Sequence, residues 1–318
     1  MKIIKNHNIG VISWISTLPG GGKIQYYYEP ETLCELEELC GDFYLQGYEF
    51  DLIGHTSNTL YMQDYGCVRM VSTRKLNKFK IRETEIFCEC GTSVRQLSLA
   101  AIENGIKGYD GLIDLPGTVA ASVYGNAGCY GCSISKQLKE ATILTEKGEV
   151  LKVGPEWFAF RERSSALKRG DKKAIILSLL LVREEGEVEE LRALAERNHR
   201  TRRATQPESK NSLGSIFSDS GKPTILYWVI TAISKIYEII LHFIGKNKEI
   251  IAKKRKHLTF VLLGAADVEP YVRQWNWYQW QDARAHQLFW KYVNLHRRMF
   301  TRSEFEIEIK HNPNFKIP

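Results

Sequence analysis

Hydrophobic and polar positions in the first 185 residues alternate between the two-residue period of strands and the longer period of helices. The two-residue period predicts extended structure over 23–30, 48–54, 67–73, 79–92, 141–153 and 174–183. Helical spacing predicts helices over 31–43 and 93–104, the second ending at Gly105. The strands are not joined by regularly spaced helices, so the pattern predicts an α+β first domain.

The composition changes at 184–207, where a strongly charged helix ends at Pro207. We place the domain boundary there, with a first domain over 1–185 and a second domain over 186–318. The second domain is rich in basic and aromatic residues. No internal repeat or low-complexity tract interrupts either domain.

One apolar segment of the second domain, 224–245, is as long as a membrane span. Lys235 and Glu238 lie in its middle, and a basic run over 246–257 follows it directly. The two central charges favour a buried or half-buried helix of a soluble domain. The basic run leaves open a peripheral contact of 224–257 with an anionic membrane surface.

The overall composition is that of a globular protein, with 43% hydrophobic and 25% charged residues among 318. A net charge of +7 favours anionic partners, but no nucleic-acid reading module accompanies the basic run, so we expect no nucleic-acid partner. Seven cysteines, an odd number, are not typical of a secreted disulfide framework. The short apolar run at 9–15 lacks a small-residue cleavage site. We therefore expect a cytoplasmic protein.

Two segments carry candidate chemistry. The stretch "GYDGLIDLPGTVAASVYGNAGCYG" (108–131) holds six glycines and three alanines, so another surface must approach its main chain closely. That surface is either protein or a flat ligand. The turn "IGHTSNTLY" (53–61) lies between two predicted strands, and its N–H and hydroxyl groups are suited to a pyrophosphate.

In this order, the two segments resemble the UDP-N-acetylenolpyruvoylglucosamine reductases, also called UDP-N-acetylmuramate dehydrogenases. That family has a Gly-Gly-Gly-Ser-Asn turn, then Gly-x-x-x-Leu-x-x-Ile-Pro-Gly-Thr-Val-Gly-Gly, then Asn-Ala-Gly-Ala-Tyr-Gly. Here these motifs read "GHTSN", "GYDGLIDLPGTVAAS" and "NAGCYG". The resemblance continues through "WFAFRERS" (157–164), "RRATQP" (202–207), "SLGSIFSD" (212–219) and "FEIEIK" (305–310).

The resemblance implies a two-subdomain FAD-binding fold of the vanillyl-alcohol-oxidase/PCMH type, followed by a smaller α+β substrate domain. The subdomains would cover about 1–76 and 77–185. FAD would lie between them, and the implied cofactor-binding residues are Gly54, His55, Thr56, Ser57, Asn58, Thr59, Leu60, Pro116, Gly117, Thr118, Val119, Asn126, Gly128, Cys129, Tyr130 and Gly131.

The implied reaction is reduction of an enolpyruvyl UDP-sugar by NADPH through FAD, in peptidoglycan precursor synthesis. By position in the motifs, Arg161 is the substrate-facing arginine, Ser215 the catalytic serine and Glu308 the catalytic glutamate. A guanidinium matches a carboxylate. A serine hydroxyl can act as a general acid where negative charge develops beside it.

The resemblance weakens between 218 and 300, where the bulky Trp277, Tyr278 and Trp280 replace small residues of the family. These rings would stack on a sugar, fill a partner interface or pack a rebuilt core. The departure leaves two alternatives open: an FAD-dependent oxidoreductase acting on a different sugar nucleotide or glycan precursor, or a flavoprotein that has lost catalysis.

Two further features concern the flavin region. His55 replaces a family glycine, and it would either donate to a phosphate or attach the flavin covalently. The "CYGC" motif (129–132) has redox spacing, and Cys88 and Cys90 could join it in a metal set. No helix start lowers the thiol pKa there, so we predict no metal site.

Overall fold

The computed structural model describes residues 1–8, 23–62, 65–206, 211–218, 221–301 and 304–311. The apolar run at 9–15, which we do not expect to be an export signal, lies outside these residues, as do Pro207 and Asp219. The strands are β1 (Lys2–Asn8), β2 (Lys23–Glu29), β3 (Asp51–Ile53), β4 (Thr59–Tyr61), β5 (Gly66–Ser72), β6 (Phe79–Ile81), β7 (Glu85–Glu89), β8 (Gly128–Cys129), β9 (Cys132–Ser133), β10 (Leu138–Thr145), β11 (Val150–Val153), β12 (Ala174–Val182), β13 (Val272–Gln274), β14 (Trp277–Tyr278) and β15 (Glu308–Lys310). The helices are α1 (Leu33–Leu45), α2 (Val94–Glu103), α3 (Val119–Gly125), α4 (Ile134–Gln137), α5 (Val188–Thr205), α6 (Ile225–Phe243), α7 (Lys248–Leu262) and α8 (Ala283–Met299).

Contacts divide the chain into two compact units. Of the described residues, the first unit holds 1–8, 23–57 and 66–206, and the second holds the rest. The first unit thus extends beyond the boundary predicted at 185, because helix α5 packs its Leu191 and Ala195 against Ile102 of α2. Arg192 of α5 also pairs with Glu103.

The first unit contains two sheets. One has the strand order β1-β2-β5-β3, in which β5 is parallel to both β2 and β3. Helix α1 buries Leu36, Cys40 and Phe43 against this sheet's Val71. The other sheet has the order β11-β10-β12-β7-β6 and is antiparallel throughout. The two separate sheets are consistent with the predicted two-subdomain fold.

The second unit is built around helix α8 and a cluster of buried aromatic rings. Tyr278 and Trp280 are fully buried, and they contact Phe289 of α8 with ring centroids 5.5 Å apart in both cases. Trp277 is 7% exposed. Of the three roles predicted for these bulky residues, the structure supports core packing: they fill the interior of the second unit.

Helix α6 is long and apolar enough to cross a membrane, and no other helix among the described residues meets that description. It buries Ile230, Ser234 and Leu241 on one face. The other face is exposed, so only 17% of the helix's apolar 18-residue stretch is buried within the protein. The interpretation favoured by the sequence, a buried or half-buried helix, holds for one face only.

Candidate functional site

The two loops expected to hold FAD are packed against each other within the first unit. A Cβ on Gly54 would lie 2.7 Å from Oγ1 of Thr118, and a Cβ on Gly117 would lie 3.1 Å from Oγ of Ser57. Glycine at both positions lets the loops touch at van der Waals distance. The turn over 54–57 and the loop over 116–119 therefore form one continuous surface.

The ends of neighbouring elements fix both loops. Thr73 N–H donates to the carbonyl oxygen of Ile53 at 2.9 Å, which holds the end of β3. Val119 N–H donates to Thr92 O at 2.9 Å, and Ala120 N–H donates to Cys90 O at 3.2 Å. Thr118 caps helix α3 by accepting from Ala121 N–H. These bonds place Pro116 and Gly117 just before a helix N-terminus, with Pro116 exposed.

The third part of the expected flavin site, 126–131, is a tight hairpin. Asn126 adopts a left-handed conformation at the end of α3 (φ 46°), and its Nδ2 donates to the carbonyl oxygen of Arg161 at 2.7 Å. Strands β8 and β9 pair Cys129 with Cys132, and the two residues between them, Tyr130 and Gly131, have φ of 48° and 81°. Consecutive positive φ values are those of a two-residue hairpin turn, which favours glycine at one position.

Close approach within the protein explains four of the six glycines in the small-residue stretch, Gly117 among them. A Cβ on Gly111 would collide with the carbonyl oxygen of Cys129, and one on Gly128 would lie 2.6 Å from the carbonyl oxygen of Cys132. Gly108 is crowded by the amide of Gln137. A Cβ on Gly125 or Gly131 would meet no atom within 4 Å. Protein atoms therefore crowd part of the stretch 108–131 and leave another part open.

The open part carries unsatisfied polar groups. Oδ1 of Asn126 and the hydroxyl of Tyr130 are both buried, and neither has a hydrogen-bond partner among the described residues. A buried polar atom without a partner is costly unless a ligand or water satisfies it. An amide oxygen and a phenol match the N–H and carbonyl groups on the edge of a flavin ring. The residues present therefore fit FAD.

Arg161 lies in a loop of the first unit, just after Phe158. Its main chain exchanges two hydrogen bonds with Ser164, at 3.0 and 3.1 Å, around a turn in which Arg163 has a φ of 51°. Its side chain is exposed. Since its carbonyl oxygen accepts from Asn126, the loop is tied to the flavin hairpin, and its guanidinium remains available to an anion.

The ionisable groups beside the flavin loops are held in neutral forms. Burial, together with the nearby Arg74, lowers the pKa of His55, which favours an uncharged imidazole that can still donate one N–H. Burial raises the pKa of Cys129 and of Cys132, which favours protonated thiols. Burial also raises the pKa of Cys88 to about 12. The described residues contain no cluster of three or more His, Cys, Asp or Glu able to hold a metal ion.

The expected serine and glutamate belong to the second unit, which brings them onto neighbouring backbone segments. Gly214, with a φ of 84°, turns the chain so that Ser215 forms an antiparallel bridge with Trp277. The next residue, Ile216, accepts from Glu306 N–H at 2.9 Å. Glu308 follows Glu306 by two residues and begins strand β15, so it lies two residues along the chain from a residue hydrogen-bonded to the segment that carries Ser215.

Asn58, Thr59 and Leu60 complete this second group. Nδ2 of Asn58 donates to Glu306 O at 3.0 Å, and Asn58 O accepts from Glu308 N–H at 2.9 Å. Strand β4 is parallel to β15, with Thr59 opposite Glu308. Leu60 is fully buried in the core of the second unit, so only its main chain could serve a ligand.

Two residues that fix the site gave no signal in the sequence. Asn276 accepts from Phe217 N–H and donates to Phe217 O, both at 2.7 Å, which holds the segment that carries Ser215. Gly91 allows the main chain between Cys90 and Thr92 to lie against the Thr73–Leu76 turn. A lone Asn among aromatics, or a lone Gly after a strand, has no periodicity that would reveal such a role.

The second unit should lose stability in mild acid, because α8 carries two buried histidines. His286 is 3% exposed and His296 is fully buried, and burial lowers the pKa of each to about 4. Their ordinary pKa is about 6.5, so folding favours the neutral form. The stabilisation is complete above pH 6.5 and is lost as the pH falls toward 4.

At pH 5 each histidine should cost about 2 kcal/mol, from about 1.4 kcal/mol per pKa unit. Urea unfolding followed by tryptophan fluorescence at pH 7 and pH 5 measures this loss. His286→Leu should reduce the pH dependence by about half, since neither ring nitrogen of His286 has a partner among the described residues. An unchanged pH dependence in that variant would show that His286 is not one of the groups responsible.

The FAD binding domain family matches residues 24–154 of the chain. A UDP-N-acetylenolpyruvoylglucosamine reductase from Caldicellulosiruptor saccharolyticus is 34% identical over 206 residues, which are 64% of this chain and 65% of the relative. The enzyme of that name from Anoxybacillus flavithermus is 30% identical over 204 residues, which are 64% of this chain and 67% of the relative. The aligned region thus spans about two thirds of these relatives, and slightly less than two thirds of the first.

A solved structure extends the comparison to almost the whole chain. The crystal structure of UDP-N-acetylenolpyruvylglucosamine reductase from Thermus caldophilus matches with a TM-score of 0.67 over 97% of this chain and 99% of that chain, at 19% identity. This likeness confirms the predicted fold class, including the second unit where sequence similarity is weak.

Proposed function

We propose, because the chain belongs to the UDP-N-acetylenolpyruvoylglucosamine reductase family, that it is an FAD-dependent oxidoreductase that uses NADPH to reduce an enolpyruvyl UDP-sugar. This reaction would serve cytoplasmic peptidoglycan precursor synthesis. The observation that carries the proposal is that Ser215, Glu308 and Asn58 lie on segments of the second unit that are joined by main-chain hydrogen bonds. The packed flavin loops of the first unit support the cofactor assignment.

FAD would be held by the turn over 54–57, by the loop over 116–119 and by the hairpin over 126–131, with the open space at Gly131 beside it. When bound, it supplies hydride transfer from NADPH to the enolpyruvyl double bond. The neutral His55 would donate an N–H to a phosphate oxygen, which requires no covalent link.

The chain's own residues would handle the substrate's charge and proton. The Arg161 guanidinium would hold the substrate carboxylate, on which negative charge builds during hydride addition. Ser215 would give its hydroxyl proton to the carbon next to the one that receives hydride. Glu308 would fix the carboxylate geometry or share its proton. A serine is a poor acid alone, so the proposal requires the developing charge beside it.

Arg161→Ala should reduce kcat/KM for the sugar nucleotide by about 100-fold, since a charge-assisted hydrogen bond in a protected site is worth about 2–3 kcal/mol. Arg161→Lys should restore only part of the activity, because an ammonium cannot make the two parallel bonds of a guanidinium. Steady-state kinetics with varied sugar nucleotide measure both. The rate of NADPH oxidation with a small-molecule electron acceptor should stay unchanged in both variants. If instead that rate falls as far as the sugar-dependent rate, Arg161 serves the flavin and not the substrate.

The function is tested by incubating the purified protein with NADPH and UDP-N-acetylglucosamine enolpyruvate. We expect a sugar product that is two hydrogens heavier by mass spectrometry, formed in a one-to-one ratio with oxidised NADPH. No product from this sugar, with conversion of another enolpyruvyl or keto sugar nucleotide, would favour the first alternative. NADPH oxidation with no sugar of either kind reduced would favour a flavoprotein that has lost its substrate.

A further inference from the structure

Helix α6 presents a continuous apolar surface to solvent. We define its outer face as the exposed side chains that recur at helical spacing along the side away from the core, namely Ile225 (84% exposed), Trp228 (62%), Val229 (49%), Ile233 (40%), Ile236 (60%), Ile239 (55%), Ile240 (49%) and Phe243 (88%). A soluble helix ordinarily turns such residues inward. Contiguous exposed apolar patches of this kind mark a surface that docks on something.

The inner face of α6 is tied to its own unit. Oγ of Ser234 and Oγ1 of Thr259 on α7 lie 2.9 Å apart, and Arg255 of α7 pairs with Glu238 at 2.7 Å. Leu226 and Ile230 pack in the core of the second unit. The helix therefore cannot cross a bilayer without breaking these contacts. The helix can lie parallel to a surface, with its outer face in contact with that surface.

The loop after α6 and the first half of α7 are strongly basic. Residues 224–257 contain seven Lys or Arg and two Glu, so they hold five of the chain's seven net positive charges. One acidic residue, Glu238, is already paired with Arg255. Lys246 and Lys248 are exposed just after the end of the helix that carries Phe243, and Lys253 and Lys254 are exposed on α7. Lys256 is excluded from this set, because it donates to Glu269 O and Val272 O.

We propose that the outer face of α6 docks in the plane of an anionic lipid bilayer, with Lys246 and the exposed lysines of α7 at the lipid headgroups. An apolar face flanked by lysines is the pattern of an interfacial helix, in which apolar burial and attraction to anionic lipid act together. A second protein surface would match the apolar side chains but would not account for the positive charge of the residues that follow α6. This inference concerns where the protein works and does not depend on the proposed reaction.

The test is sedimentation of the full-length protein with vesicles of phosphatidylcholine alone or of phosphatidylcholine with phosphatidylglycerol. We expect binding to the anionic vesicles, weakened by salt, and little binding to the neutral ones. Ile236→Glu should lower the partition coefficient between anionic vesicles and water by about tenfold or more, because burying one isoleucine in the membrane contributes at least that factor to binding. Leu45→Glu, at an apolar site on α1 that is more exposed than Ile236 (74% against 60%), should bind like wild type.

The charge contribution is tested separately. Lys253→Glu with Lys254→Glu should weaken binding and remove most of its salt dependence, while Lys2→Glu with Lys80→Glu, at exposed lysines of the first unit, should not. Wild-type binding to neither vesicle would overturn the proposal. So would concentration-dependent dimerisation, measured by light scattering, that Ile236→Glu abolishes while vesicle binding is absent; that outcome would assign the outer face to a second copy of the chain.

Discussion

Ser215→Ala is expected to slow reduction of the enolpyruvyl sugar by about 100- to 10,000-fold, the usual contribution of a positioned general acid. The substitution removes only the hydroxyl, because the serine main chain is held by its bridge to Trp277 and by the bond from Glu306 to Ile216. The half-reaction with NADPH does not need this proton. We therefore expect the variant to oxidise NADPH once per flavin and then to stall. Rapid mixing under anaerobic conditions measures the two half-reactions separately.

Ser218→Ala is the matched control for this prediction. Ser218 lies three residues further on the same segment, and its Oγ donates to Glu304 O at 3.4 Å. Loss of this long, partly exposed hydrogen bond should leave both half-reactions within about twofold of wild type. Equal loss of activity in the two variants would mean that the segment needs its hydroxyls for structure, and Ser215 would then not be the acid.

Gly91→Ala is expected to destabilise the first unit by about 3 kcal/mol or more, which is the upper end of the usual cost of adding a methyl group to a packed interior. A Cβ at this position would overlap the carbonyl oxygen of Thr73 and lie 2.7 Å from the carbonyl oxygen of Leu76. Both are main-chain atoms of one turn, which is fixed by the bond from Gly91 N–H to Leu76 O. The backbone must therefore move, since no side chain can yield.

The same movement should reach the flavin loops. Cys90 and Thr92, on either side of Gly91, accept the hydrogen bonds of Ala120 and Val119 at the start of α3. We expect purified Gly91→Ala protein to melt about 5 °C or more below wild type and to retain less flavin. Gly41→Ala, on helix α1 where a Cβ meets no atom within 4 Å, should be neutral or slightly stabilising. Wild-type flavin content in the Gly91 variant would mean that this contact does not support the site.

The elements predicted correctly from the sequence are those whose residues alternate with a clear period. Helix α1 buries Leu36, Cys40 and Phe43 at helical spacing, and strand β2 alternates buried and exposed residues at its start. Helix α3 was not anticipated, because its residues Val119–Gly125 are mostly small and give no amphipathic signal. Small side chains there reflect the close packing of the loops around it.

Local sequence patterns could not predict the pairing of strands that are far apart in the chain. Strands β4 and β15 pair although Thr59 and Glu308 are far apart in the chain, and each strand has three residues. The roles of Ser215 and Glu308 came from the family resemblance, and they stay proposals. The length and apolar character of helix α6 were predicted correctly from the sequence. Because α6 is apolar on both faces, its sequence does not show which face packs against the core. The exposed outer face is therefore visible only in the structure.

The most direct test of the central claim is an anaerobic absorbance titration of the purified protein. We expect a flavin band that bleaches when NADPH is added and returns, in a one-to-one ratio, when UDP-N-acetylglucosamine enolpyruvate follows. That result would establish both halves of the reaction in one sample. A flavin band that NADPH does not bleach, or that bleaches and is not restored by this sugar, would contradict the account.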